Sequence, residues 1–288
     1  FIYTFFMTWV LFSILASIFF TAGSLLSRHL LKSLKDPWAY SFWFSFGGAL
    51  ICLPLFLLSP SIPMSWLPWL LVVVMGGLVV AHNLLLFTAL HYIEVSVSGS
   101  IMKLRLVWVY ILGALFLNEP ATPVKLIGIC LIIAAAFFVF HKFKQKNSLK
   151  GIVLVLVASI FNATGITLVK YLLGFFNSVS LTFFAGFLAS AVINMLIMPK
   201  FVQRATRIIK ERGRLIFLSA GLGGFANLLF NKALELGEAT RVVLVVEAFL
   251  IITLVGESMI LKEKDRLWVK AVAVMLATAG AVLVSISR

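Results

Sequence analysis

The chain has 288 residues, 62% of them hydrophobic and only 12% charged, with a formal net charge of +14. Soluble domains are closer to half apolar and a quarter charged. That excludes an ordinary soluble enzyme, a disordered regulator and a disulfide-stapled secreted domain. The cations sit in short loops between apolar runs, so they read as membrane-topology signals and no nucleic-acid partner is expected.

A bilayer core of ~30 Å takes ~20 apolar residues per helix. Runs of that length predict ten spans: 7–27, 38–58, 66–91, 95–117, 121–141, 150–172, 179–199, 214–236, 239–261 and 267–286. The first run is too long for a cleavable signal and has no basic leader, so none is expected. Lys35-Asp36-Pro37, Ser59-Pro60-Ser61-Ile62-Pro63 and Asn118-Glu119-Pro120 punctuate the first, second and fourth connections. Barrel strands would be ~10 residues with strict alternation, whereas these runs are long and continuous. The fold class is therefore an all-α integral membrane bundle. Cys52 and Cys130 lie inside apolar runs without metal-ligand spacing. No disulfide, metal or cofactor is expected.

The two halves repeat each other. Ala16-Ser17-Ile18-Phe19 recurs as Ala158-Ser159-Ile160-Phe161, with Gly23 matching Gly165 and Arg28 matching Lys170 at a shift of 142. At a shift of 144, Asn83 matches Asn227, Glu94 matches Glu238, Leu117 matches Leu261 and Glu119 matches Glu263. The repeats divide at 1–146 and 147–288, five spans each. An odd number of spans makes the second repeat enter from the opposite side, and the loops agree. The loop after span one carries Arg28, Lys32 and Lys35, while its mate carries Lys170 alone. The loop after span two has no Lys or Arg, while its mate has Lys200, Arg204, Arg207, Lys210, Arg212 and Arg214. Inverted repeats of this kind are the architecture of secondary transporters. Loops after odd-numbered spans carry sixteen cations against about five on the other side. The charge rule thus puts the odd loops in the cytoplasm and both termini outside.

Ala89-Leu90 and Ala233-Leu234 close spans three and eight. Leu117-Asn118-Glu119 and Leu261-Lys262-Glu263 close spans four and nine, and Leu106-Val107-Trp108 precedes the first of these. With Lys125-Leu126-Ile127-Gly128 beyond, this pattern resembles the EamA family of the drug/metabolite transporter (DMT) superfamily across nearly the whole chain. Val272 stands where a mate of Gly128 would be. The resemblance implies a secondary transporter, often an exporter of amino acids, metabolites or toxic organic compounds. It also implies that spans one to four and six to nine surround the path. The family's usual arrangement has both termini in the cytoplasm; the charge count of this chain says the reverse, and we follow the charge count.

Ionisable groups at membrane depth cost ~2.5–3.5 kcal/mol each on insertion scales and must be paired or hydrated. Lys103 and Arg105 lie in span four, Glu247 and Glu257 in span nine. Lys103 and Glu247 are mates, so pseudo-symmetry predicts that they meet across a central cavity, directly or through solute. A zwitterion would set its carboxylate by Lys103 and its ammonium by Glu247; a buried ion pair that only fixes how the halves close is the alternative. Arg105 is ~200° from Lys103 on a regular helix, which predicts that only one of them, Lys103, faces the pocket. Glu257 is a coupling candidate, or else a partner of Lys262. The symmetry mates Asn83 and Asn227, with His82 and Asn162, are candidate solute ligands or interhelical hydrogen-bonders. Trp43, Phe44 and Phe46 with Phe183, Phe184 and Phe187 could line an aromatic wall or simply pack. Gly47-Gly48, Gly76-Gly77, Gly221 and Gly223-Gly224 are expected to permit close helix approach, and Pro54 to kink span two. Glu119 and Glu263 read as helix-boundary caps or loop ion pairs, Trp66 and Trp69 as interfacial anchors.

Two function classes remain. One is a secondary transporter of a small organic solute, an amino acid or similar metabolite, exported by alternating access and driven by a proton or counter-solute gradient. The other is an integral-membrane enzyme on lipid or prenyl phosphate, or a lipid carrier. The sequence offers no paired acidic motif, phosphate loop or supported nucleophile triad, so no enzyme is expected. The expected setting is a bacterial inner membrane, as a monomer or weak dimer.

Overall fold

The computed structural model describes residues 2–34, 36–89, 92, 98, 101–140, 148–260 and 267–286, and among them there is no strand. The helices are α1 (Ile2–Leu34), α2 (Pro37–Leu58), α3 (Trp66–Ala89), α4 (Arg105–Phe116), α5 (Pro123–Phe140), α6 (Leu149–Leu172), a composite α7 (Ser178–Leu181, Thr182–Leu188 and Ala189–Ile197), α8 (Phe201–Leu236), α9 (Ala239–Ile260) and α10 (Leu267–Ile286). Among the described residues, six stretches are long and apolar enough to cross a membrane: Thr8–Ser27, Pro37–Leu58, Trp66–Leu86, Leu149–Leu172, Ser178–Ile197 and Phe201–Leu236. Shorter apolar helices cover Arg105–Phe116, Pro123–Ala136 and Val274–Val284. The start of the expected fourth span, with Glu94, and the segment holding Lys262 and Glu263 lie outside the described residues, as does the side chain of Glu257.

The polarity is that of a membrane bundle. Leu11, Leu50, Val73, Leu115, Leu196 and Met275 face outward, while Ser41, Lys103, Asn194, Asn231 and Glu247 are buried. Helical hydroxyls avoid stranding in apolar surroundings by bonding back one turn: Ser13 to the Trp9 carbonyl, Thr21 to Ser17 and Ser27 to Gly23, at 2.7–2.8 Å.

The packing has an exchange symmetry. α1 packs on α8 as α6 packs on α3; α2 packs on α8 as α7 packs on α3; α1 meets α9 as α6 meets α4. α5 and α10, equivalent under the same exchange, pack on each other. Glycines set the closest of these approaches. A Cβ on Gly128 would fall 2.2 Å from Val284 Cγ2, and one on Gly280 2.9 Å from the Gly128 carbonyl oxygen. On Gly76 it would meet Ala189 Cβ at 2.8 Å, whereas Gly77 has nothing within 4 Å and serves no close contact.

Local chemistry fixes the helix ends. Asp36 caps α2, accepting from the Ala39 amide at 3.3 Å, with Pro37 at the first helical position. Its carboxylate also takes Arg204 Nε at 2.9 Å and Nη2 at 2.5 Å, and Arg207 Nη2 at 3.0 Å. Burial pushes this carboxyl up. The Arg204 hydrogen bond, the Ala39 amide and the two guanidinium charges outweigh that and hold it below its usual value. The start of α9 is capped from a distant segment. Glu119, buried, accepts from the Ala239 amide at 2.5 Å, the Thr240 amide at 3.1 Å and the Thr240 hydroxyl at 2.7 Å. The C-terminal carbonyls of α8 are met by Lys170 Nζ, 2.5 Å from Leu234 O and 2.8 Å from Gly237 O. α2 continues as helix through Pro54. The break in regular geometry comes instead at Arg212 inside α8, where φ is −144° and ψ 25°.

Candidate functional site

A cavity of about 440 Å³ lies between the two halves, lined from α1, α2, α3, α6, α7, α8, α9 and Arg105 at the head of α4. It sits on repeat mates. Asn83 and Asn227 both line it, as do Phe20 and Asn162; Phe44 and Phe187 add aromatic walls. The two rings are seated by glycines. A Cβ on Gly223 would strike Phe44 Cζ at 2.3 Å, and one on Gly48 would strike the Phe187 ring at 2.5 Å. Gly48 and Gly223 therefore make room for the rings that wall the cavity.

The charged centre is a triad. Glu247, on α9 and fully buried, pairs through Oε2 with Lys103 Nζ and through Oε1 with Arg105 Nη2. Arg105 Nη1 donates to Asn162 Oδ1 at 2.9 Å. The side chains of Lys103 and Arg105 keep 11% and 22% exposure, so the guanidinium is the wetter cation, and it is Arg105 and Glu247 that line the cavity.

The expectation that Lys103 faces the pocket and Arg105 faces away is corrected here. It assumed regular helical phase, but the chain at Lys103 and Leu104 is a turn. The Leu104, Leu106 and Val107 amides bond three residues back, at 3.0 Å each. Tight i→i+3 winding abolishes the 100° step, and two long side chains on this turn converge on one carboxylate.

The other candidates separate into two groups. His82 lines the cavity with Nδ1 3.0 Å from the Ala158 carbonyl oxygen. Asn83 donates from Nδ2 to Ser41 Oγ at 3.3 Å, and Asn227 from Nδ2 to Gly223 O at 2.8 Å. Trp43 and Phe184 stand away from the cavity. Trp43 donates its indole N–H to the Ala205 carbonyl at 2.9 Å and packs on Phe42, Phe46 and Phe217. Phe184 packs among Phe56, Trp69, Phe176 and Phe183. The cause in α7 is the π-helical turn over Thr182–Leu188. Its i→i+5 winding shifts the helical phase, and of the three candidate phenylalanines of this helix it is Phe187, with Gly186 beside it, that reaches the cavity. Trp69 belongs to that aromatic cluster and donates to Pro63 O at 3.1 Å, while Trp66 is exposed.

Asn231 is a cavity residue that sequence reasoning missed. It is buried and donates to Thr182 Oγ1 at 2.8 Å. The available signal was its position one turn beyond Asn227, on the same face of α8.

The model of the EamA-like transporter family matches residues 7–141 and 149–286. The chain belongs to the EamA-like transporter family. Both repeats carry the family pattern, so this EamA protein is a duplication, and the cavity above lies where its two matched segments meet. An uncharacterized transporter from Archaeoglobus fulgidus is 29% identical over 172 residues, which span 60% of this chain and 61% of that relative. One solved crystal structure superposes with a TM-score of 0.73 over 96% of this chain and 98% of its own, at 14% identity, a likeness of fold alone. Family and relative both point to a membrane transporter.

Proposed function

We propose that this EamA protein is a secondary active transporter that exports a small organic solute, an amino acid or similar metabolite, by alternating access around the central cavity. In this reading ten spans form two inverted repeats, 1–146 and 147–288. The odd-numbered loops face the cytoplasm of a bacterial inner membrane, both termini lie outside, and a proton or counter-solute gradient drives the cycle. The protein works as a monomer or weak dimer.

The observation that carries it is the position of the Lys103–Arg105–Glu247 triad. It joins α9 of the second repeat to the head of α4 in the first, and it presents Arg105 to a cavity lined by the repeat mates Asn83 and Asn227. Two cations against one carboxylate leave one excess positive charge beside that cavity. A carboxylate on the solute balances it, with the planar guanidinium as anchor. Glu247 has both oxygens engaged by cations, so a solute ammonium is met by the neutral amide oxygens of Asn83 and Asn227 instead. Solute binding also competes with Glu247 for Arg105, which gives the halves a reason to move when the site is filled. The mixed polar lining disfavours a lipid carrier, whose cavity would be apolar and open to the side, and it lacks the clustered carboxylates of a prenyl-phosphate enzyme.

The test is thermal stabilisation of the purified protein across amino acids, organic acids, organic cations, sugars and nucleotides, followed by counterflow in vesicles with the best binder. Wild type runs beside Arg105→Lys and Asn227→Ala. Stabilisation by a carboxylate-bearing solute that both variants lose while remaining folded supports the site. Stabilisation that survives both variants places recognition outside this cavity and refutes the assignment.

A further inference from the structure

The first eleven residues of α8, Phe201–Glu211, precede the break at Arg212 and carry chemistry that solute transport does not use. At 100° per residue this segment has three faces. Phe201, Ala205 and Ile208 form one; Ala205 and Ile208 are buried, and Phe201 packs edge-on against Phe42 of α2. The Asp36 bridges to Arg204 and Arg207 and the Trp43 bond to Ala205 O fix that face from α1–α2. Val202, Thr206 and Ile209 form a second, with Val202 73% exposed. Arg207 and Lys210 form the third, both exposed, and exposed Arg212 and Arg214 continue the charge beyond the break, with Glu211 as the one acid of the segment.

A helix with an apolar stripe beside a cationic stripe suits the boundary between hydrocarbon and headgroups. The break at Arg212 lets the segment leave the direction of the membrane-crossing part of α8, which continues as the apolar run from Leu215. Val202 and Ile209 are then placed toward acyl chains while Lys210 and Arg214 reach headgroup phosphates, as long cationic side chains do at interfaces. We propose that Phe201–Arg214 is an interfacial helix that binds anionic phospholipid and anchors the α7–α8 connection to the membrane surface. The Asp36 bridges to Arg204 and Arg207 are its protein-side tether, and Lys210, Arg212 and Arg214 are its lipid-side contacts. The transporter proposal does not depend on this site; both require only that the chain lies in a membrane.

The experiment titrates the intact detergent-solubilised chain with phosphatidylglycerol or phosphatidylcholine and reads bound lipid by native mass spectrometry. Wild type is expected to prefer phosphatidylglycerol and to lose that preference as salt is raised. Lys210→Gln with Arg214→Gln is expected to cut it about 25-fold, at about five-fold per surface cation. Lys210→Arg with Arg214→Lys is expected to retain it, and Lys232→Gln, on the far end of α8, to leave it unchanged. Equal binding of phosphatidylcholine, a preference insensitive to salt, or displacement of the lipid by inorganic phosphate alone would each overturn the proposal. The salt series uses wild type, so the answer does not rest on variants folding. Solute stabilisation is measured separately, so failure of lipid binding leaves the transport reading intact, and the converse holds.

Discussion

Glu247→Gln isolates the energetics of the triad. The carboxylate is fully buried and pairs with Lys103 through one oxygen and Arg105 through the other. Glutamine keeps the size and removes the charge, which leaves two largely buried cations facing a neutral amide. Removing one partner of a buried pair costs about 3–5 kcal/mol, because the charge left behind has lost its compensation. Arg105 retains Asn162 and the greater exposure, 22% against 11%, so most of that cost falls on Lys103. Lys103→Met made in the Glu247→Gln background should therefore recover about 2 kcal/mol, a coupling within the range for contacting residues. Unfolding of the four proteins of this cycle in detergent, by heat and by denaturing surfactant, measures both quantities. Glu235→Gln is the control: its pair with Lys232 is 30% and 40% exposed and should be worth less than about 1 kcal/mol. Stability of Glu247→Gln within about 0.5 kcal/mol of wild type, or strict additivity with Lys103→Met, would refute the reasoning.

Gly128→Ala should cost about 1–3 kcal/mol by forcing α5 off α10, and Val284→Ala should rescue part of it, read as the unfolding midpoint. Gly77→Ala, with open space at its Cβ, should be neutral or stabilise by up to about 1 kcal/mol in the same assay. Asp36 has a depressed folded value, so its stabilisation is present above about pH 4 and is lost as pH falls through the folded value. Asp36→Asn should remove that acid-side slope from a melting-temperature profile and lower stability at neutral pH. Glu119→Ala strands the first amides of α9 and the Thr240 hydroxyl, and should cost about 2 kcal/mol in thermal unfolding.

Much of the fold was legible because apolar run length and duplication are properties of sequence alone. Glu119 was legible only as a cap or loop ion pair at its own helix boundary; that it caps α9, some 120 residues on, is set by tertiary packing. Two differences at the site trace to departures from 3.6-residue winding that leave no trace in composition: the turn at Lys103–Leu104 brings Arg105 to the cavity, and the π-turn over Thr182–Leu188 brings Phe187 there and leaves Phe184 in the neighbouring aromatic cluster. Trp43 is different: its helix is regular, and its indole is turned to the Ala205 carbonyl. Asn231 was hidden by its mate: Phe87 stands at the same shift of 144, so a search for matched polar pairs passes over it.

The mates that match and the mates that differ divide the work of the cavity. Identical mates, Asn83 with Asn227, present the same amide from both sides and would serve a solute equally in either orientation of the repeats. Phe44 from the first repeat and Phe187 from the second add aromatic walls. Unlike mates break that symmetry. Lys103 against Glu247 and Phe20 against Asn162 give the first repeat the cations and the second repeat their acceptors. A like-charged pair of mates would repel across the axis, whereas opposite charges close it. Arg105 sits at this closure with one nitrogen on Asn162 and another on Glu247, both from the second repeat. In the proposed cycle a solute carboxylate that takes this guanidinium competes with these bonds between the repeats. Under the proposed alternating access, the divergence between mates would hold the coupling between binding and movement, and the retained identity would supply the symmetric walls around it.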